Sequence, residues 1–433
     1  MPNAPVTIAI VGAGHRALAY AEHAEHFPDE MKVVAVADPI ERRRRRAAEK
    51  FDLPESACFE SAEQLAAAGR IADAVINGTM DHQHVPTSLP LLDAGYDMLL
   101  EKPFATNEAE MRDLARAALG RKVMICHVLR YAPFYAALRR KVLDGAIGEI
   151  MNIQTAEHVS YHHYAVSHVR GKWNRKDKCH SSALMAKCCH DLDILAWMKS
   201  GISPTHVSSS GSLMYFRPEK APAEAGTRCL VDCPIEPDCL YSARKHYLDH
   251  PKRWSFYVWA GLEHIDEPTD AQREEYLREE SPFGRCVWKC DNDVVDNQVV
   301  CVGFADGSTA THSLVGGTPK PMRKIHILGT EGELQGEMDE NAFVIRHIDP
   351  RPGRQCGEER VDTSNFGDTT GAFGGHGGGD QRLVADFVRF LRDEPRSISC
   401  TTIEDSIHGH QIGFAADRAM EEKTVVVSGN RGG

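Results

Sequence analysis

The 433-residue sequence contains no apolar run approaching the roughly 20 residues that a membrane-spanning helix requires. Its opening, Met1-Pro-Asn-Ala-Pro, lacks the basic segment, apolar stretch and small-residue cleavage site of a secretory leader, which predicts a cytoplasmic protein. A basic excess is also missing: 50 Lys and Arg stand against 62 Asp and Glu, a net charge of −12. That balance argues against a surface built to hold nucleic acid or anionic membrane. There is no repeat array and no heptad seam. With 42% hydrophobic and 26% charged residues the chain is not a disordered one. Its length allows two or three domains and a large core that folds without staples. The 13 cysteines, in a reducing compartment, need a reading other than a disulfide framework.

What is present begins with a strand pattern, Val6 to Val11, running into Gly12-Ala13-Gly14-His15-Arg16-Ala17 and then a helix. This is G-x-G-x-x-A between strand and helix. Gly12 permits the tight turn, and Gly14 lets the backbone approach a pyrophosphate. The helix N-terminus offers free N–H groups to the phosphates, with His15 and Arg16 beside them. A second strand, Lys32 to Ala37, ends at Asp38, about 24 residues after Gly14, the spacing of a carboxylate that takes the ribose hydroxyls. Asp38 favours NAD over NADP. Arg43, within the run Arg42 to Arg46, stands near enough to face a 2′-phosphate, although most of that run reads as a solvated helix face. Further strands, Ala72 to Asn77, Tyr96 to Leu100 and Val123 to His127, each lead into polar residues. In a doubly wound sheet those residues converge on one crevice.

Four motifs in order, Gly12-x-Gly14-x-x-Ala17, Thr79-x-x-His82-x-His84, Glu101-Lys102-Pro103 and His190-x-x-Asp193, resemble those of the Gfo/Idh/MocA oxidoreductases. Gly329-Thr330-Glu331-Gly332 matches a sheet turn of that family more loosely. The resemblance implies an α/β chain: a Rossmann domain over 1–128, then an α+β domain over 129–433 with a large open mixed, mostly antiparallel sheet. That second domain would bind substrate and form a homodimer or homotetramer. The resemblance also implies hydride transfer between a nicotinamide and a sugar, cyclitol or related alcohol. Thr79, His82, His84 and Glu101 would surround the cofactor, and Lys102 would stand beside the nicotinamide and the reacting hydroxyl. A cis bond at Lys102-Pro103 would fix the lysine's direction.

The sequence departs from the family at the helix that carries His190. The family has Asp-x-x-x-His there, and this chain has Ala186 where the carboxylate would be. His190 must then act as base alone or with Lys102. Lys187, at i−3 from His190, faces the same pocket or snorkels to the surface. Arg130, Tyr131 and Tyr161 are further candidate substrate contacts, Tyr161 lying in a stretch with His158, His162, His163 and His168. His376 sits in a glycine-rich segment before a helix expected over Gln381 to Leu391, capped by Asp380. The run Lys187-Cys188-Cys189-His190-Asp191 resembles a subgroup associated with glycosides.

An insertion over about 216–290 carries Cys229-x3-Cys233-x5-Cys239, followed by Cys286 and Cys290. Clustered thiols of this kind read as a structural zinc site or as unliganded reduced cysteines. The fourth ligand would be Cys286 or Cys290. Cys286 is preferred, because the residues after Cys290 read as the start of a strand.

These features predict an NAD-dependent oxidoreductase acting on a carbohydrate or glycoside hydroxyl. Two rivals use the same parts. One is a glycosidase or lyase that oxidises a sugar carbon transiently and recycles its NAD. The other is a non-catalytic sensor of dinucleotide or sugar.

Overall fold

The computed structural model describes residues 4–250, 254–364 and 378–427. Its first sheet is built from β1 (Val6–Val11), β2 (Met31–Ala37), β3 (Cys58–Phe59), β4 (Ala74–Asn77), β5 (Asp97–Leu100) and β6 (Val123–Ile125). All pairs are parallel, in the order β3-β2-β1-β4-β5-β6. The strands are short apolar runs buried on both faces; Ile8, Ile10, Ile76 and Leu99 are fully inaccessible. That double burial is what a parallel sheet flanked by helices requires. The order reverses between β1 and β4, so the crevice lies at the C-terminal ends of those strands.

The second sheet comprises β7 (Ile150–Ser160), β8 (Pro204–Ser212), β9 (Asn297–Phe304), β10 (Thr309–Thr318), β11 (Met322–Gly329), β12 (Gly332–Glu337), β13 (Ala342–Ile348), β14 (Cys356–Asp362) and β15 (Val426–Val427). Their order is β14-β13-β12-β11-β7-β10-β9-β8-β15, antiparallel except where β7 meets β10. The Rossmann sheet and this mixed, mostly antiparallel sheet are the architecture the sequence predicts. Thr330 and Glu331 form the β11–β12 turn between two glycines.

The Ala183–Met198 helix packs against the second sheet. Ser182 caps it by accepting from the Met185 N–H, and every residue of the helix except Lys187 is buried. A helix apolar nearly all round has no solvent face and becomes core. The chain then returns to its beginning. The Gly379–Leu391 helix places Leu383, Val384 and Phe387 in one cluster with Ile8, Ile10 and Tyr20. The Ile403–Glu422 helix, opened by a capping box at Thr402, adds Ile403 to the cluster on the other face of the first sheet.

Three local expectations are corrected. The Gly379–Leu391 helix is capped by Gly378 at φ +74°, and Asp380 lies inside its first turn. The residues after Cys290 form no strand until β9 begins at Asn297. The helix after the glycine motif starts at His15. His376 and residues 428–433 lie outside the described residues. Among the described residues, no helix is long and apolar enough to cross a membrane.

Close packing at the sheet's centre yields a test. A Cβ added to Gly78, just after β4, would lie 2.8 Å from the Ala17 Cβ. Gly78→Ala is expected to cost about 1–3 kcal/mol through overpacking. A lowered midpoint in urea unfolding would show it, and an unchanged midpoint would show that the helix can yield.

Candidate active site

Gly12 makes its turn at φ +76°, and a Cβ there would lie 2.9 Å from the Thr79 N, so both conformation and space demand glycine. A Cβ on Gly14 would meet nothing within 4 Å. The backbone is therefore open on that side, as close approach by a pyrophosphate needs. Asp38 is buried at the end of β2; its Oδ2 accepts from the Ala13 N–H at 2.8 Å and its Oδ1 from the Ile40 N–H at 2.8 Å. The carboxylate thus braces the glycine turn and keeps lone pairs for ribose hydroxyls. These residues fit a dinucleotide.

Glu101 follows β5 and is 6% exposed. Its Oε1 accepts from Arg16 Nε at 2.8 Å and from the Tyr20 hydroxyl at 2.8 Å, and its Oε2 accepts from the Lys102 N–H at 2.9 Å. Burial acts to raise this carboxyl's pKa, but Arg16 and Lys102 outweigh it and hold the group below the usual carboxylate range. Arg16 also reaches Asp380 at 2.7 Å. Glu101 and Arg16, both expected at the cofactor, are bonded to each other, and Arg16 also to the returning helix.

The Lys102-Pro103 bond is cis. The Lys102 ammonium donates to the Ala186 carbonyl oxygen at 2.9 Å. Ala186 lies one turn before His190 on the buried helix, so the lysine is held at the turn preceding the histidine. His84 is 1% exposed, with Nδ1 2.7 Å from the Pro103 oxygen and Nε2 3.1 Å from the Thr79 oxygen. It ties the loop after β4 to the loop after β5, so its two nitrogens are spent on protein. The Thr79 hydroxyl donates to Asn77 Oδ1 at 2.8 Å. His82 stands 5.4 Å from His180, ring to ring; burial first, then His180, lowers its pKa.

The expected substrate residues separate into two groups. Arg130 and Tyr131 are structural. Arg130 is 2% exposed and makes two bonds to Asp193, at 2.7 and 2.6 Å, and the Tyr131 hydroxyl donates to Asp386 at 2.8 Å. In both, side chains that look available in sequence close buried polar pairs. Lys187 pairs with Glu157 at 3.0 Å, and Glu157 also receives Arg323 at 2.8 Å. Tyr161 lies edge-on to His246 and Tyr241 and lines an open cleft with His246.

Sequence reasoning missed an aromatic wall. The His163 ring stacks on Trp254 at 3.8 Å, Trp173 meets Tyr257 edge-on, and the Lys172 ammonium sits 4.3 Å above Trp173. The Trp173 indole N–H donates to Asp81 at 3.1 Å. It also missed a strap from the insertion. Phe256 stacks on His15 at 5.0 Å, Glu263 pairs with Arg43 at 3.0 Å, and Asp266 pairs with Arg42 at 2.5 Å. No local pattern announces partners more than 200 positions apart.

The four cysteines expected at zinc, Cys229, Cys233, Cys239 and Cys286, border one small cavity. Among the described residues, no three His, Cys, Asp or Glu side chains stand in metal-binding geometry.

Three comparisons bear on this arrangement. The sequence model of the oxidoreductase family GFO_IDH_MocA, NAD-binding Rossmann fold, matches residues 6–129. The putative oxidoreductase YteT of Bacillus subtilis is 26% identical over 335 residues, 75% of this chain and 73% of that one. Trans-1,2-dihydrobenzene-1,2-diol dehydrogenase of Mus musculus is 35% identical over 123 residues, which are 28% of this chain and only 36% of that one. A crystal structure of an NAD binding oxidoreductase from Klebsiella pneumoniae superposes with a TM-score of 0.70 at 17% identity, covering 99% of this chain and 100% of that one.

Buried histidines near the site set a pH dependence. Burial, then nearby Lys187 and Lys102, brings His168 down to about 3, and burial, then His127, brings His410 to about 3. Each stays neutral in the fold but binds a proton in the unfolded chain below about pH 6.5. Stability is therefore whole above that value and declines as pH falls toward 3, by about 1.4 kcal/mol per pH unit for each histidine. His410→Gln should flatten that slope by one such increment in urea titrations between pH 6 and 4. An unchanged slope would mean that His410 is protonated in the fold.

Proposed function

The chain belongs to the Gfo/Idh/MocA oxidoreductases, and from that premise we propose that it moves hydride between the CH–OH carbon of a sugar, glycoside or cyclitol and NAD. The carrying observation is the Lys102 ammonium bonded to the Ala186 carbonyl one turn before His190, at the C-terminal edge of the parallel sheet. When bound, the nicotinamide supplies the hydride acceptor or donor. Everything else falls to the protein.

For an alcohol to lose hydride from carbon, its hydroxyl must lose a proton. His190, 7% exposed on a buried helix, takes that proton. Lys102 donates a hydrogen bond to the same oxygen and stabilises the charge that develops there. The Ala186 carbonyl aims the ammonium. The wall of His163, Trp254, Trp173 and Tyr257 offers flat apolar faces, which suit the C–H faces of a sugar. The mouse relative's name specifies a vicinal diol, the same local chemistry. NAD rather than NADP fits Asp38 and the neutralised Arg42 and Arg43.

The strap favours a second reading. With Phe256 over His15 and two ion pairs closing beside it, the cofactor stays bound between turnovers. A retained NAD that oxidises a sugar carbon, allows elimination of an aglycone and then returns the hydride would make the chain a glycosidase or lyase.

Lys102→Met and His190→Gln are each expected to lower turnover by about 10²- to 10⁴-fold while leaving NAD affinity within a few-fold. Sugars and aryl glycosides are screened by NADH absorbance and by aglycone release. NADH formation supports the first reading, and aglycone release without net NADH supports the second. Full activity in both variants would sink the roles given to Lys102 and His190, and NAD binding without turnover of any sugar or glycoside would leave a sensor.

A further inference from the structure

Residues 213–296, between β8 and β9, contain no strand among those described, and their longest helix is Asp270–Glu279. Two separated segments of this region meet. Arg228 and Arg285 form an isolated bridge, Cys229 N–H donates to the Gly284 oxygen at 2.9 Å, and Cys286 N–H donates to the Thr227 oxygen at 2.8 Å. The apolar cluster beneath them is small, built on Leu230, Ala243, Tyr247, Leu277 and Phe283. The base of the excursion, through Tyr241, Cys286, Val287 and Trp288, packs into the large core of the second sheet, and only its outer part rests on this small cluster.

Four thiols converge at that meeting point. Cys229, Cys233, Cys239 and Cys286 border one cavity of about 10 Å³, room for a single water-sized body. Cys290 is not on its wall; its Sγ turns to the Cys286 carbonyl at 3.2 Å. None of the four is in a disulfide. Two of the sulfurs already accept N–H groups: Cys239 from the Tyr241 backbone at 3.3 Å, and Cys229 from the Arg170 guanidinium at 3.4 Å. Such donors are the kind that hydrogen-bond the sulfur of a metal-bound cysteine.

Arg170 is the second, independent observation. It is 2% exposed, and its other hydrogen bonds run to neutral groups, the oxygens of Arg285, Tyr241 and Tyr247. Glu236, the one carboxylate on the cavity wall, accepts from the Ser242 hydroxyl. Among the described residues no carboxylate forms an ion pair with the Arg170 guanidinium, so negative charge on the thiols beside it would stabilise it. Four thiolates around a divalent ion carry two net negative charges and supply that counter-charge. As they stand no three of these side chains are in metal-binding geometry, so taking up an ion requires the four thiols to close on the space they border.

We propose that Cys229, Cys233, Cys239 and Cys286 bind one structural zinc ion as a closed tetrathiolate, with Arg170 and the Tyr241 amide as its hydrogen-bond donors. Binding replaces four S–H bonds by four Zn–S bonds and releases four protons, without oxidation or reduction. The ion fixes the base of the insertion whose far part, Phe256 to Asp266, reaches the cofactor loop.

The test begins with the whole wild-type chain, expressed without a metal-affinity tag and purified without chelators. Elemental analysis and native mass spectrometry should give one zinc per chain. Cys229→Ser and Cys286→Ser should lose it, while Cys290→Ser and Cys301→Ser should keep it. Stripping the metal from wild type should expose four further thiols to alkylation and speed proteolysis within 216–290. Should the serine variants fail to fold, the wild-type metal count and the mapped alkylation sites decide the matter alone. Metal-free wild type with all four thiols reactive would overturn the assignment. So would a mass reduced by disulfide formation, iron in place of zinc, or zinc kept by both Cys229→Ser and Cys286→Ser. None of these readings depends on activity, so they stand or fall apart from the proposed reaction.

Discussion

The buried carboxylate of Glu101 is the constraint on which the site depends. It collects the Arg16 guanidinium, the Tyr20 hydroxyl and the Lys102 amide, three donors from two segments of the first domain, and Arg16 passes the connection to Asp380 near the chain's end. Inside protein a carboxylate is tolerated only when its oxygens are matched by donors. That demand fixes the loop after β5 to the first helix of the glycine motif. The direction of Lys102 is then set from both sides, by the Glu101 carboxylate at its backbone and by the Ala186 carbonyl at its ammonium.

The Ala183–Met198 helix shows how one substitution is absorbed. A methyl group at position 186 removes a charge from a buried helix that already holds Asp191 and Asp193, each paired to an arginine. The main-chain carbonyl at the same position takes over the orientation of Lys102. Lys187, the one residue of that helix not buried, is held to Glu157 on β7, which links the helix to the second sheet.

Much of the fold was legible in the sequence because its signals are local. Five of the six strands of the first sheet are short apolar runs that the sequence displays, the two-residue β3 being too short to read, and Gly12 sits where both its φ and its neighbours require glycine. The turn between Gly329 and Gly332 and the grouping of Cys229, Cys233, Cys239 and Cys286 were legible for the same reason. The missed features are long-range. Arg130 and Tyr131 read as free polar groups until Asp193 and Asp386 are brought to them by folding. Arg16 reads as a phosphate ligand until Asp380 arrives. The contacts of Phe256, Glu263 and Asp266 with the cofactor domain have no periodicity to betray them, because they join a loop to another unit of the structure.

The return of the chain to its starting sheet bears on the order of events during synthesis. Leu383, Val384 and Phe387 belong to the same apolar cluster as β1, and Ile403 belongs to the cluster on the opposite face. A ribosome making the protein from its N-terminus exposes the first sheet long before those helices exist. The six parallel strands must wait, with part of each face uncovered, until almost the whole chain has emerged. In this protein the nucleotide-binding half, though translated first, is finished last.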